Sequence, residues 1–181
     1  KDTPYSTPEE LIAYAKEHPG EVTVGLAGIG TGTHLASELF ANAAGIELLQ
    51  VPYKGSAPML NDLIAGRLDV AFDYPVSTLG HVQSGSVKVL GVTSAERLAL
   101  FPDAPTMTEA GLPEAETGSW SGIFVPAGTP PERVEILADA FATGPVPLAV
   151  SGSITGCGSR GALPWPSSVA GTVTSSIAAT V

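Results

Sequence analysis

Apolar and polar positions along this chain switch repeatedly between a helical period and short apolar runs of strand length. Thr7-Pro8-Glu9-Glu10 opens the first helix, with Thr7 as N-cap, Pro8 at the first helical position and Glu10 at the capping-box position. Leu11, Ile12, Tyr14 and Ala15 then form an apolar stripe that stops at His18-Pro19-Gly20. Residues 22–26 read as a strand, 35–44 as a helix closed by Gly45, and 47–51 as a second strand. After the loop 52–58, residues 59–65 carry helical periodicity and end at Gly66. Residues 68–72 form a short buried strand ending in Asp73, 79–82 a short helix and 87–92 a further strand. Strand and helix alternating through short turns predict a mostly parallel, layered α/β domain. Ligands of such sheets sit at the carboxyl ends of the strands, where the loops 27–34, 52–58 and 73–77 fall.

Beyond residue 93 the pattern loosens into loops, with a strand expected over 120–125 and an amphipathic helix over 132–141. The character then changes abruptly. From Ala142 to Val181 there is no Asp, Glu or Lys, Arg160 is the only charge, and no helical period appears. One reading is a low-complexity tail or linker. The sharper expectation is a frame-shifted translation of a high-GC gene, which was never selected to fold in this context.

Composition narrows the field of functions. A hydrophobic content of 44% over 181 residues supports one compact domain or parts of two. A net charge of −10, from 8 basic and 18 acidic residues, argues against nucleic acid or an anionic membrane surface as partner. The single cysteine, Cys157, excludes an internal disulfide framework, and His18, His34 and His81 are too dispersed for a metal-ligand pattern. No apolar run reaches membrane-helix length. No signal peptide is visible, and Lys1-Asp2-Thr3-Pro4 reads as the middle of a longer protein.

The candidate chemistry sits in Ala27-Gly28-Ile29-Gly30-Thr31-Gly32-Thr33-His34-Leu35, between a strand and a helix start. First-turn N–H groups have no partner inside a helix, and the macrodipole adds about half a positive charge there. Glycines allow close approach, and Thr31 and Thr33 add hydroxyls. A plain tight turn explains the same letters equally well. Two nucleotide motifs do not fit: there is no Gly-Lys-Ser/Thr ending, and Gly28-x-Gly30-x-Gly32 is not G-x-G-x-x-G.

The motifs of the chain as a set are more specific than this loop alone. Gly28-x-Gly30-Thr31-x-x-His34-Leu35-x-x-Glu38-Leu39-Phe40 is followed by Val51-Pro52-Tyr53-Lys54-Gly55-Ser56-Ala57-Pro58. Asp62-Leu63-x-x-Gly66-x-x-Asp69-Val70-x-Phe72-Asp73, Val92-Thr93-Ser94-x-x-Arg97 and Pro102-Asp103-x-Pro105-Thr106-x-x-Glu109-Ala110-Gly111 come next. Trp120-x-Gly122 and Pro126-Ala127-Gly128-Thr129-Pro130 complete the series. From about Thr7 to Phe141 the chain resembles the substrate-binding receptors of tripartite tricarboxylate transporters, the Bug-type receptors.

That resemblance implies a periplasmic, two-domain Venus-flytrap receptor on the type II periplasmic-binding-protein plan. It would capture a small carboxylate or amino acid and deliver it to membrane permease subunits, as a monomer, without catalysis, cofactor or metal. Residues 1–118 correspond to a nearly complete second domain, 119–141 to the crossover into the first domain, and 142–181 to the departing tail. The first domain, with the other half of the clamp, is expected before Lys1. The implied ligand-binding positions are Gly28, Gly30, Thr31, Gly32, Thr33, His34, Tyr53, Lys54, Gly55 and Asp73.

Read on their own chemistry, these residues keep alternatives open. Thr31 is the first choice of hydroxyl donor, beside the N–H groups of Gly30, Gly32 and Thr33. His34 is expected to fix the turn rather than touch the ligand. Lys54 either attracts the anion at range or is a solvated loop lysine, and Tyr53 either walls the cleft or covers the sheet. Asp73 either receives a ligand amine or hydroxyl or caps the following turn. Asp69 and Arg67 read as surface charges, and Trp120 as packing near a hinge. Two other classes come into question. The effector domain of a transcription regulator shares the two-lobed plan, but no helix-turn-helix or basic segment is present. A hydrolytic enzyme would need an exposed nucleophile beside a base, and no G-x-S-x-G elbow occurs.

Overall fold

The computed structural model describes residues 3–118, 124–142 and 178–180. They fall into two compact units, residues 1–119 with 175–181, and residues 120–174. The first unit holds α1 (Pro8–Glu17), β1 (Thr23–Leu26), α2 (Gly32–Ala44), β2 (Leu49–Pro52), α3 (Ser56–Ile64), β3 (Val70–Asp73), α4 (Pro75–Gln83), β4 (Val89–Val92) and β5 (Ala178–Thr180). A 3-10 turn spans Pro113–Ala115. Within the second unit the described residues include one helix, α5 (Pro131–Ala142).

The sheet order is β2-β1-β3-β5-β4. β1 pairs in parallel with β2 and with β3, while β5 runs antiparallel to both β3 and β4. The expectation of a mostly parallel sheet therefore holds for β2-β1-β3. It is corrected on the other side, where residues from the uncharged tail separate β3 from β4. Residues 143–177 and 181 of that tail, like Trp120, lie outside the described residues. Of the strand expected over 120–125, only Phe124 and Val125 are described, and neither is in a strand.

Alternation along the strands divides the core into two layers. Val24 and Leu26 of β1 and Val70 and Phe72 of β3 face the side covered by α1 and α2, where they join Leu11, Ala15, Ala36 and Phe40. Ala71 faces the other side, against Met59, Leu60 and Leu63 of α3. Gly25 faces α3 as well. A Cβ there would lie 2.7 Å from Met59 Cγ and 2.6 Å from Leu68 Cδ1, so only glycine lets the helix sit this close to the sheet. Phe40 and Phe72 meet in a tilted pair with centroids 5.7 Å apart, joining α2 to β3.

Helix starts account for most differences from the sequence expectation. At α1 the Thr7 hydroxyl accepts from Glu10 N–H at 3.3 Å, as a capping box requires. The return arm differs, because Glu10 Oε2 accepts from Ser6 N–H at 2.6 Å rather than from the cap residue itself. α2, α3 and α4 all begin earlier than their apolar periodicity indicates, at Gly32, Ser56 and Pro75. Their first turns are polar or proline-containing, so periodicity misses them. Pro58 and Pro75 are tolerated because first-turn N–H groups are not needed for helix bonds.

Asp69 is a correction. It accepts from Thr23 N–H at 3.0 Å and from the Thr23 hydroxyl at 2.6 Å, clamping the starts of β1 and β3 together rather than lying free at the surface. The loop-rich segment after β4 is tied down in the same manner. Thr106 bridges to Val92, and Glu109 receives both Arg97 Nε and Thr106 N–H at 2.8 Å.

Phe40 is almost wholly buried at the centre of the larger layer. Replacing it with alanine is expected to destabilise the chain by about 3–5 kcal/mol in denaturant unfolding. A loss below about 1 kcal/mol would show that this layer is not the packed core.

Candidate functional site

The parallel register of β1, β2 and β3 brings their carboxyl ends, Leu26, Pro52 and Asp73, to one edge of the sheet. Each is followed at once by a turn and a helix start. Tyr53 N–H donates to Leu26 O at 2.9 Å, which holds the loop after β2 beside the loop after β1. The N-termini of α2, α3 and α4 are thereby assembled at this edge.

These three helix starts share two properties that α1 lacks. Their N-cap residues, Thr31, Gly55 and Tyr74, make no side-chain cap hydrogen bond, and their first turns contain no acid. α1 has both a Thr cap and Glu9 and Glu10 in its first turn. Uncapped N–H groups and the positive ends of three macrodipoles at one edge create a local field that favours an anion, whatever the net charge of the chain.

The loop after β1 is organised from within. Thr31 Oγ1 donates to Gly28 O at 2.7 Å and lies 2.9 Å from Thr33 Oγ1, so Thr33, Thr31 and Gly28 form a hydroxyl relay. Thr33 is fully buried, so its hydroxyl faces the relay rather than the solvent. Gly30 N–H donates to His34 Nδ1 at 3.0 Å. The His34 ring thus fixes the turn, and its Nε2 lies 3.7 Å from Glu38. Two groups expected to face a ligand, the Thr31 hydroxyl and Gly30 N–H, are therefore engaged inside the loop in this arrangement. Gly30 has φ of 77°, a left-handed conformation that disfavours any side chain. Gly32 and Thr33, at the first two positions of α2, keep main-chain N–H groups that no helix bond uses.

The other expected residues divide by position. Lys54 is exposed in the loop after β2, and Gly55 is the N-cap of α3. Tyr53 is half-buried against the apolar cluster on the α3 side of the sheet, and its hydroxyl donates to Asp62 at 2.8 Å. It covers the α3 side of the sheet and pins the loop. Asp62 also receives Arg67 Nη1 at 2.6 Å, and the two bonds hold its carboxyl below the ordinary aspartate value.

Asp73 differs most from the sequence expectation. It ends β3 with a fully buried carboxyl, and burial pushes its pKa up against the hydrogen bonds it accepts from Ser56 and from Tyr74 N–H. Ser56 Oγ donates to Oδ1 at 2.6 Å, while Oδ2 is buried with no partner. Ser56, the first residue of α3, is the polar group that sequence reasoning missed. The only available signal was its place immediately after Gly55, where an early helix start would point it at the end of β3.

A concavity of about 910 Å³ lies elsewhere, at the amino ends of β3 and β4. Tyr5, Leu63, Leu68, Val87 and Phe101 are in its wall, and none of the expected ligand-binding residues is. Depth and chemistry disagree here. The donors and helix starts at the carboxyl edge decide in favour of that edge.

A raised Asp73 pKa has a definite consequence for stability. Its contribution is complete below the ordinary aspartate value and is lost as pH rises through the raised folded value, because the folded state holds the proton more tightly than the unfolded one. The urea midpoint of Asp73→Asn should therefore rise relative to that of the wild type as pH is raised above the ordinary aspartate value of about 4. Parallel curves would contradict this account of the buried carboxyl.

Comparison with known proteins agrees with the motifs. The family described as "Tripartite tricarboxylate transporter family receptor" matches residues 1–154. A protein from the tcbD-tcbE intergenic region of Pseudomonas sp. strain P51 is 46% identical over 129 residues, covering 71% of this chain and 38% of that protein. Protein BugT of Bordetella pertussis is 36% identical over 129 residues, covering 71% of this chain and 40% of its own length. Among solved structures, an R. palustris protein with adipate superposes with a TM-score of 0.75 at 38% identity, covering 80% of this chain and 50% of that one. MatC of Rhodopseudomonas palustris with bound malate gives a TM-score of 0.72 at 32% identity, covering 76% and 47% respectively. The chain thus spans about two-fifths of these curated relatives and about half of these structures. The match over residues 1–154 shows that the chain belongs to the tripartite tricarboxylate transporter receptor family.

Proposed function

We propose that this chain supplies one gripping edge of a periplasmic receptor that captures a small carboxylate and delivers it to a membrane permease of the tripartite tricarboxylate type. The observation that carries this reading is the set of three uncapped, acid-free helix starts at one sheet edge. Two similar structures, one with adipate and one with malate, support the same ligand class. In this reading the N–H groups of Gly32 and Thr33 bind the carboxylate, and Gly28 and Gly30 let it approach. The Thr31 hydroxyl exchanges its bond to Gly28 O for one to the ligand. His34 and Tyr53 hold the two loops in place, Gly55 leaves the start of α3 open, and Lys54 attracts the anion from outside. Asp73 closes the floor of the site. Such a site needs neither metal nor cofactor, because several N–H and O–H donors satisfy a carboxylate without a full counter-charge.

Thermal shift and calorimetry with adipate, malate and the uncharged diamide of adipic acid test the ligand class. The acids should raise the melting temperature and the diamide should not, since binding to the folded state alone adds stability by mass action. Equal stabilisation by the diamide would remove the carboxylate from the reading. Thr31→Ala should weaken carboxylate binding by about 1.5–3 kcal/mol, the size of a hydrogen bond to a charged group. Unchanged affinity would take Thr31 out of the site.

A further inference from the structure

We propose that Ser56 and Asp73 form a proton-linked donor pair, so that the carboxylate binds together with one proton taken from solvent and held on Asp73. This rests on the carboxylate site proposed above and assigns part of its selectivity to Ser56, a residue outside the expected set.

The geometry begins with Ser56 at the first position of α3, half-buried, on a helix start that has no side-chain cap. Its hydroxyl has one hydrogen, and that hydrogen is directed inward to Asp73 Oδ1 at 2.6 Å. While Asp73 is ionised it can only accept, so Ser56 offers an incoming anion nothing but lone pairs. A carboxylate arriving at the start of α3 would then meet an acceptor where it needs a donor. With a proton on Asp73 the same short contact reverses. Asp73 donates to Ser56 Oγ, and the Ser56 hydrogen is released to the ligand.

The step balances simply. One proton leaves solvent and forms the Asp73 O–H bond, no other covalent bond changes, and the charge of the one ligand carboxylate at this edge is offset by the charge removed from Asp73. The pair is suited to this because Oδ2 is buried without a partner, a costly state for an ionised carboxylate and a mild one for a carboxylic acid. An approaching anion favours the neutral form further, as any like charge does.

The surroundings leave the exchange to these two residues. The end of β1, the first turn of α4 and β5 contribute no titratable side chain. On α2, His34 and Glu38 face each other, with Gly30 and Gln50 as their further partners. On α3, Asp62 is held by Tyr53 and Arg67. Lys54 is exposed, and Tyr74 meets Asp73 through its backbone N–H.

Calorimetry of adipate and malate against the full chain, in buffers of different ionisation heat and above about pH 6.5 where both acids are ionised, counts the protons taken up. The expected result is net proton uptake on binding, at most one proton per ligand, with affinity falling by up to about tenfold per pH unit. Asp73→Asn, a permanently uncharged partner for Ser56, should bind with no proton uptake and a flat pH profile. Ser56→Ala, which leaves Asp73 in place, should lower affinity about tenfold and reduce proton uptake with it. Binding without proton uptake, or an Asp73→Asn variant that keeps the wild-type slope, overturns the proton linkage and leaves the carboxylate site standing. If neither acid binds at any pH, the carboxylate site fails and the linkage fails with it.

Discussion

Parallel pairing of β1 with both β2 and β3 is the constraint on which the rest of the first unit depends. Parallel strands need crossovers, crossovers here are helices, and each helix must start where its strand ends. The consequence is geometric before it is chemical. Three helix starts are delivered to one edge, and the Tyr53–Leu26 backbone bond keeps two of the loops side by side. What the residues add is restraint. Threonine, glycine and tyrosine stand at N-caps without capping, and acids are absent from the first turns that would welcome them. α1, remote from this edge, is capped in the ordinary way. The same chain therefore contains both designs, and the uncapped one appears only where the strands end.

Much of this was legible in sequence. Apolar runs and helical stripes located every helix and strand from α1 to β4, most plainly where a helix buries one stripe, as α1 and α2 do, or a strand is buried throughout, as β3 is. Boundaries were the weaker part, and the errors have one cause. The first turns of α2, α3 and α4 are built from Gly, Thr, Ser and Pro, which carry no periodic signal. The identity of β5 was beyond pattern reading, since Ala-Ala-Thr in an uncharged tail has nothing to distinguish it from its neighbours. At the site, the glycine and threonine loop was visible as an anion candidate, but its internal bonding was not. Sequence spacing does not reveal that the Thr31 hydroxyl is spent on Gly28 O or that His34 takes Gly30 N–H. Ser56 was hidden by the late helix start assigned to α3, and the Asp69–Thr23 clamp by the distance between its partners along the chain.

A tension runs through the edge. Donors must be free to receive an anion, yet unpartnered buried groups cost stability. The loop after β1 meets it by lending its donors to itself, through bonds short enough to hold the turn and local enough to be exchanged. The loop after β3 meets it differently, by burying a carboxyl whose second oxygen has no partner and letting burial favour the uncharged form. One solution is a set of replaceable hydrogen bonds, and the other is a charge that can be neutralised.

The place of β5 carries a consequence for how the chain reaches this state. β3 and β4 run in the same direction without pairing, and the strand between them comes about a hundred residues after β3, so its contacts are among the least local in the fold. During synthesis the sheet must wait with an open slot and two exposed edges until these late residues emerge. For that interval the half-built sheet is a template for any extended segment that reaches it first, and the order of emergence becomes part of what selects the native pairing.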